Sequence, residues 1–251
     1  MGETQRETGG RPLIYLASGS ARRRAILEEL DIPYQPLMVE VHEIVAATGR
    51  ETVEENASHK LSAGLRSADR GALVIAADTV LEAQGRLLGK PADETAAIRY
   101  LQTLSGSSAI AYSAVALAKA GDANGCLATE TAEVHFKLLP PEVIQWYVST
   151  GEPMGRAGAF GIGRLGEVLT ESVDGCYSCV SGLPKTALLL ALAQVACEGP
   201  PNAKFRVGDP EQMPESLRHA PTVLMGARVR LRSLVLGAGR QADPRQNNHR
   251  R

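Results

Sequence analysis

The feature that most constrains the fold is a short strand-to-helix turn near the N-terminus, Leu16-Ala-Ser-Gly-Ser-Ala-Arg-Arg-Arg24. The apolar residues up to this turn predict a buried strand, and the apolar spacing after it predicts an amphipathic helix. The turn therefore delivers Ser18, Ser20 and several arginines to a helix N-terminus. Free backbone N–H groups and the positive end of the helix dipole already favour an anion there. We expect a phosphate-binding site at this turn, in preference to a basic surface that only contacts solvent.

Composition places the chain among ordinary globular proteins and limits its partners. The length of 251 residues suffices for one large or two small domains. The residues are 44% hydrophobic and 22% charged, as in an ordinary globular protein. The net charge of −1 produces no global attraction to nucleic acid or membranes, and an aromatic fraction of 4% is low for a surface that stacks single-stranded bases. The longest apolar run is much shorter than the roughly 20 residues of a membrane span. Any affinity for anions must therefore be local.

The order of predicted strands and helices favours the α/β class. Residues 32–41 are predicted to be an extended connection or an edge strand, and the glycine-rich segment 155–166 suits either a loop close to a ligand or a set of tight turns. The predicted helices cover residues 51–67, 93–104, 140–149 and 184–197, and the predicted strands cover 72–77, 109–118, 127–138 and 168–173, with a hairpin at 80–88.

Asp78 is the leading candidate for chemistry. It follows the continuous apolar run 72–77, and open α/β sheets place their ligand crevice at the carboxyl ends of strands. A carboxylate in such a crevice coordinates a divalent ion or orients a water molecule, although a lone Asp after a strand often only caps a turn. The other charged groups expected to face the same cleft are Arg22, Arg23, Lys60, Lys90 and the loop carboxylate Glu43.

Three further patterns carry little functional weight. The segment Gly85-Arg-Leu-Leu-Gly-Lys-Pro91 differs from a Walker A loop because it is one residue short between its glycines and lacks Ser or Thr after the lysine. The five histidines show neither ligand spacing nor the arrangement of a Ser-His-Asp hydrolase. Cys176 and Cys179 have no second Cys or His pair to complete a zinc site. We therefore expect free, buried thiols in a reducing cytoplasm rather than metal or redox chemistry.

Seven short segments, taken in order, resemble the Maf family of nucleoside triphosphate pyrophosphatases. They are Leu16-Ala-Ser-Gly-Ser-Ala-Arg-Arg23, Ala77-Asp-Thr79, Gly89-Lys-Pro91, Leu104-Ser-Gly106, Gly151-Glu-Pro-Met154, Ala157-Gly-Ala-Phe-Gly-Ile162 and Gly182-Leu-Pro184. The resemblance implies a fold similar to the inosine triphosphate pyrophosphatases, α/β with two lobes around a long mixed sheet and a central cleft. It also implies hydrolysis of a nucleoside triphosphate to the monophosphate and pyrophosphate with a divalent cation, Mg²⁺ or Mn²⁺. A homodimer is a further implication, and no nucleic-acid or membrane partner is expected.

The resemblance also implies roles for individual residues. Asp78 is the implied proton acceptor, and Glu43 and Asp78 are the implied metal ligands. The implied substrate-binding residues are Ser18, Ser20, Arg22, Arg23, Lys60, Thr79, Lys90 and Gly163. These assignments agree with the chemistry, because phosphoryl transfer needs charge stabilisation more than a covalent nucleophile.

Pocket positions within the family distinguish a class that acts on dTTP and UTP from one that acts on 7-methyl-GTP. Arg22 and Thr79 match the first class, whereas Ala21 and Thr79 depart from the tryptophan and glutamine of the second. Gly163 matches neither class, because a Gln or Glu is expected there. The missing side chain removes a possible hydrogen bond to the base, which typically contributes ~1 kcal/mol net. We expect dTTP, UTP or modified pyrimidine nucleotides as substrates. Two alternatives stay open: a 7-methyl-GTP pyrophosphatase, and a nucleotide-binding regulator of cell division or septum formation with little turnover.

The chain is predicted to divide into three parts: a flexible N-terminus at residues 1–12, a pyrophosphatase-like domain at 13–199, and a basic, poorly ordered tail at 200–251. The tail carries ten Lys and Arg against four Asp and Glu, with little pattern typical of a core. The alternative is that apolar residues within 227–236 pack against the domain or a second subunit.

Overall fold

A computed structural model describes residues 13–122, 124–196 and 203–206 of the chain. The predicted flexible N-terminus and most of the predicted tail lie outside these residues, so the division of the chain into three parts stays a prediction. Within the described ranges, no helix is both long enough and apolar enough to cross a membrane.

The described residues form eight strands and six α-helices. The strands are β1 (Ile14–Leu16), β2 (Gln35–Pro36), β3 (Leu73–Ala83), β4 (Arg86–Leu88), β5 (Ser108–Lys119), β6 (Gly125–Phe136), β7 (Thr170–Gly175) and β8 (Ala203–Arg206). The helices are α1 (Ala21–Glu29), α2 (Gly49–Ser67), α3 (Glu94–Leu104), α4 (Pro141–Ser149), α5 (Tyr177–Val180) and α6 (Lys185–Ala196), with short 3-10 helices at Ala157–Ala159 and Leu165–Leu169. The helices and strands predicted from the sequence are confirmed in type.

All eight strands belong to one mixed sheet. Its order is β2-β1-β3-β5-β6-β7, with β4 also beside β3 and β8 also beside β6. The β2–β1, β1–β3 and β6–β8 pairs are parallel, whereas the β3–β4, β3–β5, β5–β6 and β6–β7 pairs are antiparallel. The β3–β4 hairpin turns at Gln84 and Gly85, whose positive φ angles of 51° and 69° suit a tight hairpin turn. The predicted hairpin and long mixed sheet are confirmed.

Two apolar cores lie against one face of the long strands. Alternate residues of β3 share a face. Ile75 and Ala77 pack with residues of α1 and α6 in the first core, and Leu81 packs with residues of α3 and α4 in the second. Val74 and Val80 lie on the opposite face, in clusters that include residues of α2. The predicted α/β fold with two lobes and a central cleft is confirmed.

The prediction that a strand ends at Asp78 is wrong. Strand β3 continues to Ala83, and Asp78 pairs with Ala114 of β5 in the middle of the strand. On its other edge, β3 pairs with β1 at residues 73–75 and with β4 at residues 81–83. Among the described strands, none pairs with residues 76–80 on that edge, and the cleft opens there. Asp78 therefore lies in the middle of β3, on a stretch that no described strand pairs with on this edge, between the pairings with β1 and β4, and not at the expected carboxyl end of a strand.

Strand β8 belongs to the predicted tail and pairs with the sheet, so truncation of the chain before β8 can measure its contribution to stability. It pairs with Cys126–Thr129 of β6, and β6 is separated by β5 from the strand that carries Asp78. A chain ending at residue 199 is expected to melt a few degrees below one ending at residue 206, because a net loss of about 1 kcal/mol lowers Tm by roughly 2–4 °C in a domain of this size. Circular dichroism melts and kcat/KM of both chains test this. Loss of activity with an unchanged Tm would contradict the expected separation of β8 from the cleft.

Candidate active site

A cleft of about 740 Å³ lies between the two lobes, and it gathers nearly all the predicted site residues. Its walls come from the β1–α1 turn, the loop after β2, the inner face of α2, the middle of β3, and the loops at residues 89–90 and 154–157. The predicted residues that line it are Ser18, Ser20, Arg22, Arg23, Glu43, Lys60, Asp78, Thr79 and Lys90. Of the predicted substrate-binding residues described here, Gly163 alone is absent from the lining.

A chain of alternating charges runs across the cleft floor. Lys60 Nζ lies 2.6 Å from Asp78 Oδ1 and 2.8 Å from Glu43 Oε1, and Lys90 Nζ lies 3.0 Å from the same Glu43 oxygen. Lys60 and Asp78 are buried, whereas the Glu43 and Lys90 side chains are 41% and 57% exposed. Burial raises the pKa of Glu43, but the two ammonium groups outweigh it and hold this pKa at about 2. Glu43 is therefore anionic at neutral pH.

Replacing Glu43 with Gln is expected to change how stability depends on pH. The folded-state pKa of about 2 lies below the ordinary value of 4.5, so the carboxylate stabilises the fold above pH 4.5 and this contribution is lost as the pH falls towards 2. Glu43→Gln is therefore expected to lower the free energy of unfolding at neutral pH, by less than about 1 kcal/mol because exposed pairs are screened. The variant is also expected to lose less stability than the wild type on acidification.

Urea unfolding of the wild type and of Glu43→Gln, at neutral pH and at about pH 3, measures the difference between their free energies of unfolding. A gap between the two proteins that stays constant with pH would contradict the assignment of a depressed pKa to Glu43.

Asn56 of α2 fixes the geometry of this charged floor, and the sequence analysis missed it. Its side chain is buried, and Oδ1 accepts a hydrogen bond from the Ile44 N–H at 2.9 Å. Its Nδ2 donates to the Ile44 carbonyl at 3.0 Å and to Asp78 Oδ2 at 3.3 Å. Asn56 therefore ties the loop that carries Glu43 to Asp78. Its position four residues before Lys60, on the same helix face, was the available signal.

The β1–α1 turn forms the wall of the cleft at which the sequence predicts an anion-binding site. Ser18 Oγ accepts hydrogen bonds from the Ser20 N–H at 3.3 Å and from Arg23 Nη1 at 3.0 Å, and Arg23 Nε donates to the Gly182 carbonyl at 2.8 Å. Ser20 is the N-cap of α1 but makes no side-chain capping bond, and the first turn contains no acidic residue. Burial lowers the pKa of the Arg23 guanidinium, opposed by the charges of Asp78 and Glu43. The free N–H groups and the guanidinium together favour an anionic ligand.

Two further guanidinium groups, those of Arg22 and Arg156, enlarge the positive wall. Burial lowers the pKa of Arg22 to about 10, and the charges of Arg156 and Arg23 act in the same direction. Arg156 Nη1 is buried without a hydrogen-bond partner among the described residues, and it lies 3.9 Å from Glu152 Oε1. Arg156 was not among the predicted site residues. Three guanidiniums so close together are stabilised by a ligand with several negative charges.

The glycine-rich segment 155–166 holds Arg156 in place. The Glu152 carboxylate accepts hydrogen bonds from the Tyr147 hydroxyl at 3.2 Å and from the Gly166 N–H at 3.1 Å, and the Tyr147 oxygen accepts one from the Gly161 N–H at 3.2 Å. A Cβ at Gly161 would lie 1.8 Å from Arg156 Nη1, so a side chain there would displace the guanidinium. Both functions considered for this segment are therefore present: tight turns, and a loop that lines the cleft.

Thr79 and Gly163, two of the positions expected to influence base choice, differ in their surroundings. Thr79 lines the cleft, with its hydroxyl 2.8 Å from Ser113 Oγ and 3.3 Å from the Gly182 carbonyl, to which it donates. Gly163 has a φ of +86°, and a Cβ there would lie 3.0 Å from the Tyr177 hydroxyl oxygen. The backbone and Tyr177 both disfavour a side chain at position 163, so the predicted contact of Gly163 with substrate stays a prediction.

The expected free thiols are present in the described residues. Cys126 and Cys179 are buried and Cys176 is partly buried, all without disulfides, whereas Cys197 lies outside the described residues. Over the same ranges, no cluster of three or more His, Cys, Asp or Glu side chains is arranged to hold a metal ion.

Comparison with known proteins identifies close relatives of this chain. A family model described as "Maf-like protein" matches residues 13–195. The dTTP/UTP pyrophosphatase of Syntrophomonas wolfei subsp. wolfei is 38% identical over 181 residues, which cover 71% of this chain and 95% of that protein. The dTTP/UTP pyrophosphatase of Pectobacterium atrosepticum is 40% identical over 173 residues, covering 68% and 87%. The nucleoside triphosphate pyrophosphatase of Xylella fastidiosa is 40% identical over 185 residues, covering 71% and 97%.

Proposed function

The chain belongs to the Maf-like protein family, and from this premise we propose that it hydrolyses nucleoside triphosphates, preferably dTTP and UTP, to the monophosphate and pyrophosphate. The observation that carries the proposal is one cleft in which a helix N-terminus and four further cationic side chains converge on the buried Lys60–Asp78 pair. A triphosphate is the kind of ligand that this charge distribution stabilises. The relatives that are 38–40% identical and named for this activity support the same reaction.

Different cationic groups bind the triphosphate from different sides of the cleft. Arg22, Arg23 and Arg156 present planar guanidiniums, which suit bidentate hydrogen bonds to phosphate oxygens. The free N–H groups of the first turn of α1 add neutral donors at the same wall. Lys60 and Lys90 supply point charges on the other side, next to Glu43. These groups are already oriented, so they stabilise the negative charge that develops on the phosphates during cleavage. Such electrostatic stabilisation is the main source of catalysis in phosphoryl transfer.

In the proposed reaction, Asp78 orients the attacking water and accepts its proton. Both of its oxygens have partners, since Oδ1 accepts a hydrogen bond from Lys60 and Oδ2 accepts one from Asn56. These two contacts hold the carboxylate in one orientation at the cleft floor. An oriented carboxylate contributes as a general base by factors of about 10²–10⁴ in typical enzymes.

A divalent cation fits the same floor when substrate oxygens complete its coordination. Mg²⁺ is commonly bound by one or two carboxylates together with substrate phosphates, and Glu43 and Asp78 are two carboxylates bridged by Lys60. Both lysines contact Glu43 through Oε1, which leaves Oε2 available as a ligand. When bound, the cation would lower the pKa of a coordinated water and offset phosphate charge.

A panel of nucleotides tests the proposed reaction and the base preference together. Initial rates of pyrophosphate release are measured with dTTP, UTP, CTP, ATP, GTP and 7-methyl-GTP, with Mg²⁺ or Mn²⁺ and with EDTA as the control. We expect kcat/KM for dTTP and UTP to exceed that for the other nucleotides by at least about tenfold, and EDTA to abolish release.

The other outcomes separate the alternatives. The highest kcat/KM on 7-methyl-GTP would contradict the pyrimidine preference but keep the reaction. Tight nucleotide binding without pyrophosphate release from any member of the panel would contradict the reaction and favour a nucleotide-binding regulator.

A further inference from the structure

Two cysteines close the turn that leads into the cleft. Cys176 precedes α5 and Cys179 lies within it, and the Cys179 N–H donates to the Cys176 carbonyl at 3.0 Å. Such a bond closes a four-residue turn, in which the end Cα atoms are less than about 7 Å apart. A disulfide spans Cα separations of roughly 4.4–6.8 Å. Both thiols are free, Cys176 partly exposed and Cys179 buried, so the turn holds the pair near bonding range.

Glu130 is the buried ionisable group beside this pair, and the proposed hydrolysis does not use it. Its residue is 8% exposed, and among the described residues its Oε2 has no hydrogen-bond partner. Its backbone carbonyl accepts a hydrogen bond from Cys179 Sγ at 3.2 Å, and its carboxyl group is in hydrogen-bonding reach of the Cys176 thiol. Burial raises the pKa of Glu130 and also that of the Cys179 thiol. A carboxylate with a raised pKa is the better proton acceptor for a buried thiol.

The same turn holds the anchor of Arg23. The Gly182 N–H donates to the Cys179 carbonyl at 3.1 Å, and the Gly182 carbonyl accepts hydrogen bonds from Arg23 Nε at 2.8 Å and Thr79 Oγ1 at 3.3 Å. Gly182 has a φ of +104°, a conformation that few residues adopt. The Cys176–Cys179 turn is therefore hydrogen-bonded to the residue whose carbonyl orients Arg23.

We propose that Cys176 and Cys179 form a reversible disulfide by exchange with a low-molecular-weight disulfide such as oxidised glutathione, and that this bond weakens triphosphate binding by displacing the anchor of Arg23. The effect on hydrolysis rests on the proposed function, whereas formation of the disulfide does not. The pair is then a redox site, in contrast to the inert thiols expected from the sequence.

The exchange proceeds in two balanced steps. The Cys176 thiol passes its proton to the Glu130 carboxylate within hydrogen-bonding reach, and the thiolate attacks one sulfur of the small disulfide, so that the sulfur–sulfur bond breaks and one small thiolate leaves. The Cys179 thiol then gives its proton to this small thiolate, and its sulfur attacks Cys176 in the mixed disulfide so that the second small thiolate leaves. Two protein thiols are oxidised to a disulfide, and the small disulfide is reduced to two thiols that take up the released protons.

The full chain carrying Cys126→Ala and Cys197→Ala isolates the pair for the experiment. After incubation with oxidised glutathione, mass spectrometry of unreduced peptides is expected to find an intramolecular Cys176–Cys179 disulfide. KM for UTP is expected to rise at least about tenfold and to return to its initial value with dithiothreitol, as for the loss of a charge-assisted contact. The matched control, Cys176→Ser in the same background, is expected to form no disulfide and to keep its KM after the same treatment.

The remaining outcomes overturn defined parts of the proposal. A stable glutathione adduct on Cys176, or two thiols that stay reduced, overturns the redox pair. A Cys176–Cys179 disulfide with an unchanged KM overturns the link to Arg23. Glu130→Gln is expected to slow disulfide formation at least about tenfold, and an unchanged rate removes Glu130 from the exchange.

The proposed function fails separately from the thiol chemistry. A reduced protein that hydrolyses no nucleotide would overturn the function, while peptide mapping would still decide whether the disulfide forms. UTP affinity by calorimetry, before and after oxidation, would then decide the link to Arg23.

Discussion

Asp78→Asn is expected to lower kcat for pyrophosphate release by at least about 100-fold while the protein stays folded. The substitution keeps the shape of the side chain and an oxygen for Lys60, which also retains its contact with Glu43. It removes the negative charge that the proposed proton transfer and metal binding require. Steady-state kinetics with UTP measure the loss of kcat, and a thermal melt of the purified variant shows whether it stays folded.

Asp174→Asn is the matched control for this substitution. Asp174 is exposed on β7 and pairs with His135 on the surface, away from the cleft lining. Its variant is expected to keep wild-type kcat. Near-normal turnover in Asp78→Asn, or an equal loss in both variants, would contradict the assignment of Asp78 as the proton acceptor.

Arg23→Ala is expected to lower kcat/KM for UTP by roughly 10- to 100-fold, mainly through KM. The guanidinium is buried and hydrogen-bonded to Ser18 and the Gly182 carbonyl, so it is already oriented before substrate binds. Hydrogen bonds to charged groups are typically about 1.5–3 kcal/mol each, and 1.4 kcal/mol is a factor of about ten. Initial-rate kinetics over a range of UTP concentrations separate KM from kcat.

Arg24→Ala provides the control from the same helix. Arg24 carries the same charge one residue later but does not line the cleft, so its variant is expected to keep the wild-type KM. Equal effects of the two substitutions would show that general charge, rather than the oriented Arg23 group, attracts the nucleotide.

The strand, turn and helix of the proposed phosphate-binding site could be predicted from the sequence because their signals are local. The strand before Ser18, the small residues of the turn and the helix after it follow each other directly, so their geometry needs no distant contact. The end of β3 could not be predicted in this way. Asp78 interrupts an apolar run, yet β3 continues through it, paired with β5, and Lys60 and Asn56 on a helix earlier in the chain are partners of its buried carboxylate.

Residues that act through long-range packing were also missed. Arg156 reaches the cleft because Gly161 leaves room for its guanidinium and because Glu152 and Tyr147 close the surrounding turns. None of these contacts follows a helical or strand period. The pairing of β8 with β6 likewise joins segments more than 70 residues apart in the sequence, which no local pattern indicates.

The most direct test of cleavage at the α–β anhydride is the pair of products formed from UTP. Ion-exchange chromatography of the complete reaction is expected to show UMP and pyrophosphate in equal amounts with the wild type, and UTP almost unchanged with Asp78→Asn over the same time. Formation of UDP and orthophosphate by the wild type, or equal amounts of UMP with both proteins, would contradict the proposed pyrophosphatase.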